Sequence, residues 1–168
     1  YYTAVVTNSY RMAIDSYFDN PSKYTFNPLL NKELDSVSHR EYCTGYYLDS
    51  PADNAQLVSK NGYIREKAYF ATAVDYNESE AETLRKNDRE LENEKGRLYM
   101  FVQRNKVKTG DFAEIISPYS FGKAFRVCEI YLENGEPAES APHPSMKFWC
   151  RVPFEVRPGD IMRSGDER

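Results

Sequence analysis

The sequence predicts a mainly β protein, in which a small antiparallel β-barrel follows a helical N-terminal segment. From Arg65 onward, short β-branched and aromatic stretches alternate with turn sequences, and five or six strands at this rhythm favour a small barrel over an open sheet. Before that point, apolar residues recur at helical spacing. With 168 residues, of which 40% are hydrophobic, the chain is long enough for one domain and an accessory segment.

The first helix is predicted over residues 1–19, because its apolar residues form one stripe along a helix. Asn20-Pro21-Ser22 ends this helix, and Asn27-Pro28 opens a shorter one over Leu29–Leu34. The stripe consists of Val6, Tyr10, Ala13, Ile14 and Tyr17.

The strands are predicted from alternation and from the turns between them. Asn134-Gly135 is the strongest turn signal, because both residues tolerate positive φ. The predicted strands are Ala68–Val74, Leu98–Arg104, a strand from the turn at 108–111 through Ile116, Ala124–Leu132, Lys147–Val152 and Ile161–Arg163.

These elements divide the chain into three parts. Residues 1–50 form a helical lead-in that ends in a motif segment, residues 51–64 are a polar linker, and residues 65–168 form the barrel domain. Residues 77–96 interrupt the strand pattern as a solvated insertion. The chain begins at Tyr1 rather than at Met, so we expect a piece of a longer protein.

Charge and cysteine content limit the partners and the cellular compartment that can be expected of the protein. The net charge of −4 is concentrated between Asp75 and Lys95, so it neither demands nor excludes a nucleic-acid partner. Cys43, Cys128 and Cys150 are too few and too widely spaced for a disulfide framework, which favours a reducing compartment. No apolar run has the length of a membrane span and no signal peptide is visible, so we expect a cytoplasmic protein with no membrane partner.

His39 and Arg40 are the first candidate site residues. An arginine offers a planar fork to a carboxylate or phosphate, and a histidine can donate a hydrogen bond beside it. Both residues could instead anchor a helix end through carbonyl groups or a neighbouring carboxylate. Cys43 alone cannot form a metal site, and Cys128 and Cys150 on strands are expected to be small buried hydrophobes.

A second candidate is the alternation of Arg104, Lys106 and Lys108. If the preceding strand continues through them, all three point to one face and form a basic stripe suited to RNA phosphates. The same pattern is expected of a solvated edge strand guarded by lysines.

His143 lies between two prolines and is expected in a loop. The chain has no nucleophile elbow, no His-Glu-x-x-His, no P-loop and no dinucleotide-binding glycine motif. We therefore predict no catalytic residue, no metal ligand and no self-sufficient active site in this chain.

The run Val37–Tyr47 resembles a motif of the collagenase-like peptidase family, peptidase family U32, whose pattern is close to Val-Ser-His-Arg-x-Tyr-Thr-Thr-Gly-Phe. Cys43 stands where a threonine is usual, and Tyr46 where a phenylalanine is usual. The resemblance extends to Tyr10-Arg11 with Ile14-Asp15. Downstream, it includes Gln103–Lys106, Gly110-Asp111, Asn134–Glu136, Pro142–Pro144 and Pro158–Asp160.

This resemblance implies a catalytic domain upstream of the chain, on which residues 1–50 would pack. His39, Arg40, Tyr42 and Gly45 of the motif are then expected at the substrate site, with His39 and Arg40 facing the active-site mouth. Family members include peptidases, some of which act on collagen, and enzymes that hydroxylate tRNA or ribosomal RNA. The latter hold an iron–sulfur cluster in the upstream domain, so the resemblance implies no cofactor in this chain.

The family's C-terminal domain looks like the small β-barrels of translation factors, which suggests that this barrel docks the substrate. We expect tRNA or ribosomal RNA ahead of a protein substrate, with Arg104, Lys106 and Lys108 among the contacts. Two alternatives stay open: a barrel that grips a collagen-like protein for a peptidase, and a barrel that only stabilises the enzyme or a dimer. The sequence does not decide the reaction of the whole enzyme.

Overall fold

A computed structural model describes residues 1–40, 42, 45–47, 64–77, 79 and 96–167. The chain divides into two compact units, an N-terminal unit of Tyr1–Lys67 and a C-terminal unit of Ala68–Arg168. Nearly all of the predicted linker 51–64 and of the acidic insertion 77–96 lies outside the described residues. In the part of the chain that the structure describes, no helix combines the length and the apolar character needed to cross a bilayer.

The N-terminal unit is built from two helices, α1 (Tyr2–Asp19) and α2 (Leu29–Ser36), with a 3-10 turn at Pro21–Lys23 between them. Helix α1 packs against α2. The Asn27 side chain accepts a hydrogen bond from the Leu29 amide at 3.0 Å, which satisfies one of the free donors at the start of α2. Both predicted helices are confirmed.

The buried face of α1 differs from the predicted stripe. Val5 and Ser9 are the buried residues of this helix, and the Ser9 hydroxyl donates to the Val5 carbonyl at 3.0 Å. Tyr10, Ile14 and Tyr17 of the predicted stripe are exposed. The predicted stripe is therefore an exposed apolar face of α1 and not its buried face.

The C-terminal unit is an eight-stranded antiparallel sheet that curls into a half-barrel, with a separate two-stranded ribbon. The order in the large sheet is β5-β4-β10-β1-β2-β9-β6-β7, and the ribbon pairs β3 with β8. A mainly β antiparallel fold behind a helical segment is thus confirmed. The strands are β1 Tyr69–Ala73, β2 Arg97–Gln103, β3 Val107–Lys108, β4 Phe112–Ile116, β5 Lys123–Arg126, β6 Ile130–Leu132, β7 Pro137–Ala138, β8 Ser140–Ala141, β9 Lys147–Val152 and β10 Ile161–Ser164.

The predicted strand Ala124–Leu132 is wrong as one element. The chain breaks at residues 127–129, so that β5 lies at one edge of the sheet beside β4, whereas β6 pairs with β9. The break also disrupts the predicted alternation, because Phe125, Val127 and Ile130 all enter the same core. The burial of Phe125 and Val127 before the break and of Ile130 after it decides how the chain passes from β5 to β6. The alternation of apolar residues in the sequence cannot reveal such a break.

The main core lies on one face of the sheet and includes Phe101, Phe148 and Met162, all fully buried. A second cluster of Leu98, Met100 and Trp149 lies on the other face of β2 and β9. Alternate residues of these two paired strands therefore pack into two different clusters. Burial on both faces explains why this pair of strands is apolar along nearly its whole length.

An ion pair is buried within the C-terminal unit. Arg163 Nε of β10 donates to Glu114 Oε2 of β4 at 2.8 Å, and the two side chains are only 3% and 10% exposed. Gly122 lies directly against this pair: a Cβ at that position would come within 2.6 Å of Glu114 Oε2. The absence of a side chain at residue 122 therefore leaves room for the two charged groups.

Candidate nucleic-acid interface

His39 lies inside the N-terminal unit, just after α2. Its amide and carbonyl exchange hydrogen bonds with Ile64 at 3.1 and 2.8 Å, and its side chain is only 8% exposed. The ring stacks on Tyr42 with 4.3 Å between centroids and an interplanar angle of 13°. Nδ1 lies 2.7 Å from the Arg40 carbonyl oxygen, whereas the buried Nε2 has no hydrogen-bond partner among the described residues.

Tyr42 ties the motif segment to α2. Its hydroxyl donates to the Leu34 carbonyl at 2.8 Å. Burial raises the pKa of Tyr42, and the nearby Tyr2, Asp35 and Tyr10 raise the pKa further because each disfavours a phenolate. The phenol is therefore held as a neutral hydrogen-bond donor, although much of the side chain is exposed.

The remaining motif residues face outward. Arg40 is exposed, and so are Tyr46 and Tyr47. Gly45 adopts φ +52°, but a Cβ there would meet no atom within 4 Å. A backbone conformation that favours glycine, rather than a lack of space, thus explains this residue. Cys43 lies outside the described residues.

The basic segment, residues 104–108, does not continue the strand before it. Strand β2 ends at Gln103, and the amides of Arg104 and Asn105 both donate to the Phe70 carbonyl, at 2.7 and 3.1 Å. The chain becomes extended again only at β3, which pairs with β8. The condition for Arg104, Lys106 and Lys108 to share one strand face, that the strand continues through them, is therefore not met, because the chain bends toward β1 after Gln103.

All three basic side chains are nevertheless exposed, and none of them has a side-chain partner among the described residues. The described part of the C-terminal unit contains ten lysines and arginines. Four of them make no ion pair, side-chain hydrogen bond or ring contact: Arg97, Arg104, Lys106 and Lys108. The other six lie over aromatic rings or pair with glutamates: Lys123, Arg126, Lys147, Arg151, Arg157 and Arg163. The unpaired cations are thus concentrated in one five-residue segment.

His143 is in a loop, as predicted, and it is exposed. Its loop adjoins the basic segment, because the Ser145 amide donates to the Gln103 carbonyl at 3.0 Å and Ala141 pairs with Val107. This proximity follows from the pairing of two predicted strands, because Leu98–Arg104 and Lys147–Val152 are antiparallel neighbours in the sheet. Recognising that pairing from the sequence would have placed residues 142–146 beside residues 103–107.

The cysteines do not form a cluster site in the described residues. Cys128 is exposed, which corrects the expectation of a buried side chain, whereas Cys150 is fully buried as expected. Burial strongly raises the pKa of the Cys150 thiol, so this group stays protonated. An iron–sulfur cluster needs several thiolate ligands. Cys128 and Cys150 do not supply such a set, and the described residues form no group of three metal-ligating side chains.

Comparison with known proteins relates both units to one family. A model of the Peptidase family U32 C-terminal domain matches residues 86–163, and a model of Peptidase family U32 matches residues 1–57. The tRNA hydroxylation protein P1 of Bacillus subtilis (strain 168) is 22% identical to the chain over 165 residues. This match covers 98% of the chain but only 35% of that relative, so the chain spans about a third of its length.

Two solved structures are also similar. One is the C-terminal domain of a Geobacillus thermoleovorans protein assigned to the U32 peptidases, and the other is its selenomethionine variant. Each is 18% identical to the chain, has a TM-score of 0.44 and covers 58% of the chain. The matches cover 92% of the first solved chain and 99% of the second.

Proposed function

Because the chain belongs to peptidase family U32, we propose that it is the C-terminal part of an RNA-modifying enzyme of that family, whose C-terminal unit helps to bind the RNA. In this proposal the chain carries no catalytic residue of its own. The reaction belongs to a preceding domain, and the enzyme acts in the cytoplasm on tRNA or ribosomal RNA.

The observation that carries the proposal is the concentration of unpaired cations at Arg104, Lys106 and Lys108. A lysine or arginine that lies over a ring or pairs with a glutamate must give up that contact before it binds a phosphate. Cations without a partner bind phosphates at no such cost, and each contact releases counterions from the RNA. The name of the Bacillus subtilis relative, a tRNA hydroxylation protein, agrees with an RNA substrate.

The N-terminal unit supports the other half of the proposal, a preceding catalytic domain. Tyr10, Ile14, Tyr17 and Phe18 recur at helical spacing on α1 and are all exposed. Exposed apolar stripes of this kind mark surfaces that another element covers. We propose that the catalytic domain covers this stripe, and that His39 and Arg40 lie at the mouth of its active site with Tyr42 and Gly45.

The test measures the fluorescence anisotropy of labelled tRNA titrated with the chain at two salt concentrations. We expect salt-sensitive binding that is weakened in the variant Arg104→Ala/Lys106→Ala/Lys108→Ala. Each lost phosphate contact should reduce the slope of log K against log salt by about 0.7–0.9, so that the triple variant loses a slope of about 2–3.

A matched variant separates this local effect from a change in total charge. Arg97, Lys123 and Arg157 also carry three positive charges, and the strand register places them at the other end of the sheet. Their replacement by alanine should leave the slope near that of the unmodified chain. An unmodified chain that binds no tRNA at low salt contradicts the RNA proposal. Retention on gelatin with little salt dependence would instead indicate a protein substrate.

A further inference from the structure

The basic segment and the loop around His143 are two sides of one interruption in an antiparallel pair. The ladder between β2 and β9 ends at Val102 and Lys147, with the Gln103 amide donating to the Met146 carbonyl at 2.9 Å. Pairing resumes where Val107 meets Ala141. Residues 104–106 and 142–144 therefore lie between these two paired stretches without pairing with each other, and we call this interruption the opening.

Both sides of the opening are held in place. Residues 104–106 are tied to β1, because the Asn105 side chain donates to the Tyr69 carbonyl at 2.6 Å in addition to the two bonds to Phe70. On the other side, His143 is flanked by Pro142 and Pro144, which restrict the backbone. The Met146 amide also donates to the His143 carbonyl at 3.3 Å.

Gln103 links the two ends of the opening. Its backbone bonds to residues 145 and 146 at one end, and its side-chain Nε2 donates to the Ala141 carbonyl at the other end, at 3.1 Å. The Gln103 side chain is 1% exposed, so its amide is a buried group that connects the two ends of the opening. The two sides of the opening are therefore pre-organised relative to each other, which reduces the ordering cost of binding.

The two segments that flank the opening carry charges of one sign. No acidic residue occurs in residues 103–108 or in residues 140–147. The nearest acidic positions along the chain are Glu139 and Asp111, and the Asp111 carboxylate accepts a hydrogen bond from the Lys108 amide at 3.0 Å. Lys108 thus lies beside an acidic group, whereas Arg104, Lys106 and His143 lie on segments without one.

We propose that the opening is a phosphate-binding site for RNA, in which His143 contacts the same backbone segment as Arg104 and Lys106. This inference rests on the proposed function and adds a residue from the opposite side of the opening. Arg104 offers its planar fork and Lys106 a point charge to phosphate oxygens. His143 donates a ring N–H to a phosphate oxygen, with both prolines holding the imidazole at the rim.

The test measures the anisotropy of labelled tRNA titrated with the chain at several salt concentrations. We expect His143→Ala to weaken binding about tenfold at every salt concentration, because one hydrogen bond to a charged group is lost. The salt slope should fall by less than in the triple basic variant, because that variant loses three lysine or arginine contacts and His143→Ala loses none of them. His143→Gln, which keeps a donor, should retain most of the affinity, and His143→Phe, which keeps only the ring, should not.

Tyr119→Ala serves as the control, because Tyr119 is exposed in a turn at the opposite end of the sheet. Its affinity should equal that of the unmodified chain. If His143→Ala binds tRNA as tightly as the unmodified chain while the triple basic variant binds more weakly, the proposed phosphate-binding role of the opening is overturned. The proposed function is then left intact. Full affinity in His143→Phe overturns the role of the donor. Absence of tRNA binding by the unmodified chain contradicts the proposed function itself.

Discussion

Replacement of Arg163 by methionine is expected to lower the free energy of unfolding of the C-terminal unit by about 3–5 kcal/mol. The guanidinium is buried and donates to Glu114 Oε2 at 2.8 Å. Without it, the Glu114 carboxylate remains in a poorly hydrated place opposite an uncharged thioether. Chemical denaturation of the unmodified chain and of Arg163→Met measures the difference.

The double variant Glu114→Gln/Arg163→Met is the control for this prediction. It removes both charges together, so its cost should be well below that of Arg163→Met alone, because the penalty comes from a buried carboxylate that has lost its arginine. Equal losses in the single and double variants would show that the packing of Arg163, and not its charge, stabilises the sheet.

Replacement of Gly96 by alanine has the second large expected effect, a loss of about 3 kcal/mol. Gly96 has φ +95°, and a Cβ there would lie 2.1 Å from the Val152 carbonyl oxygen and 2.5 Å from Pro153 Cα. Both neighbours are backbone atoms, so neither can turn aside as a side chain can. The Gly96 carbonyl also accepts a hydrogen bond from Arg151 Nη1 at 3.0 Å, which a shift of the backbone would disturb.

Gly159→Ala separates strain from collision. Gly159 has φ +93°, nearly the same conformation, but a Cβ there would meet no atom within 4 Å. Replacement of Gly159 by alanine should lower the free energy of unfolding by only about 1 kcal/mol, which is the part of the cost that comes from the backbone conformation alone. Thermal denaturation of the two variants measures the difference, and similar melting temperatures would contradict a collision at Gly96.

Local sequence patterns predicted the elements that are regular along their whole length. Both helices and the strand Lys147–Val152 lie where they are predicted, the helices because an apolar period and a clear end signal coincide. The turn at Asn134-Gly135 was also correct, with Gly135 at φ +89°. These features depend on residues that are close in sequence, which is the information a single chain carries most directly.

Features that depend on distant residues were not predictable in the same way. The path from Phe125 to Ile130 is set by the strands that pair with its two ends. Strand β4 pairs with β5 at one end, and β9 pairs with β6 at the other. The bend after Gln103 similarly depends on the Phe70 carbonyl, more than thirty positions away. The three cations of the basic segment were identified as candidates, but their geometry and the position of His143 required the strand pairing.

The opening is also a place where the C-terminal unit can accept inserted residues. Hydrogen-bonded ladders close it at both ends, so residues added within 104–106 or 142–144 leave the register of β2 with β9 and of β3 with β8 unchanged. The length and charge of these two segments can therefore be altered away from the core, so insertions here test the proposed RNA contact without changing the paired strands.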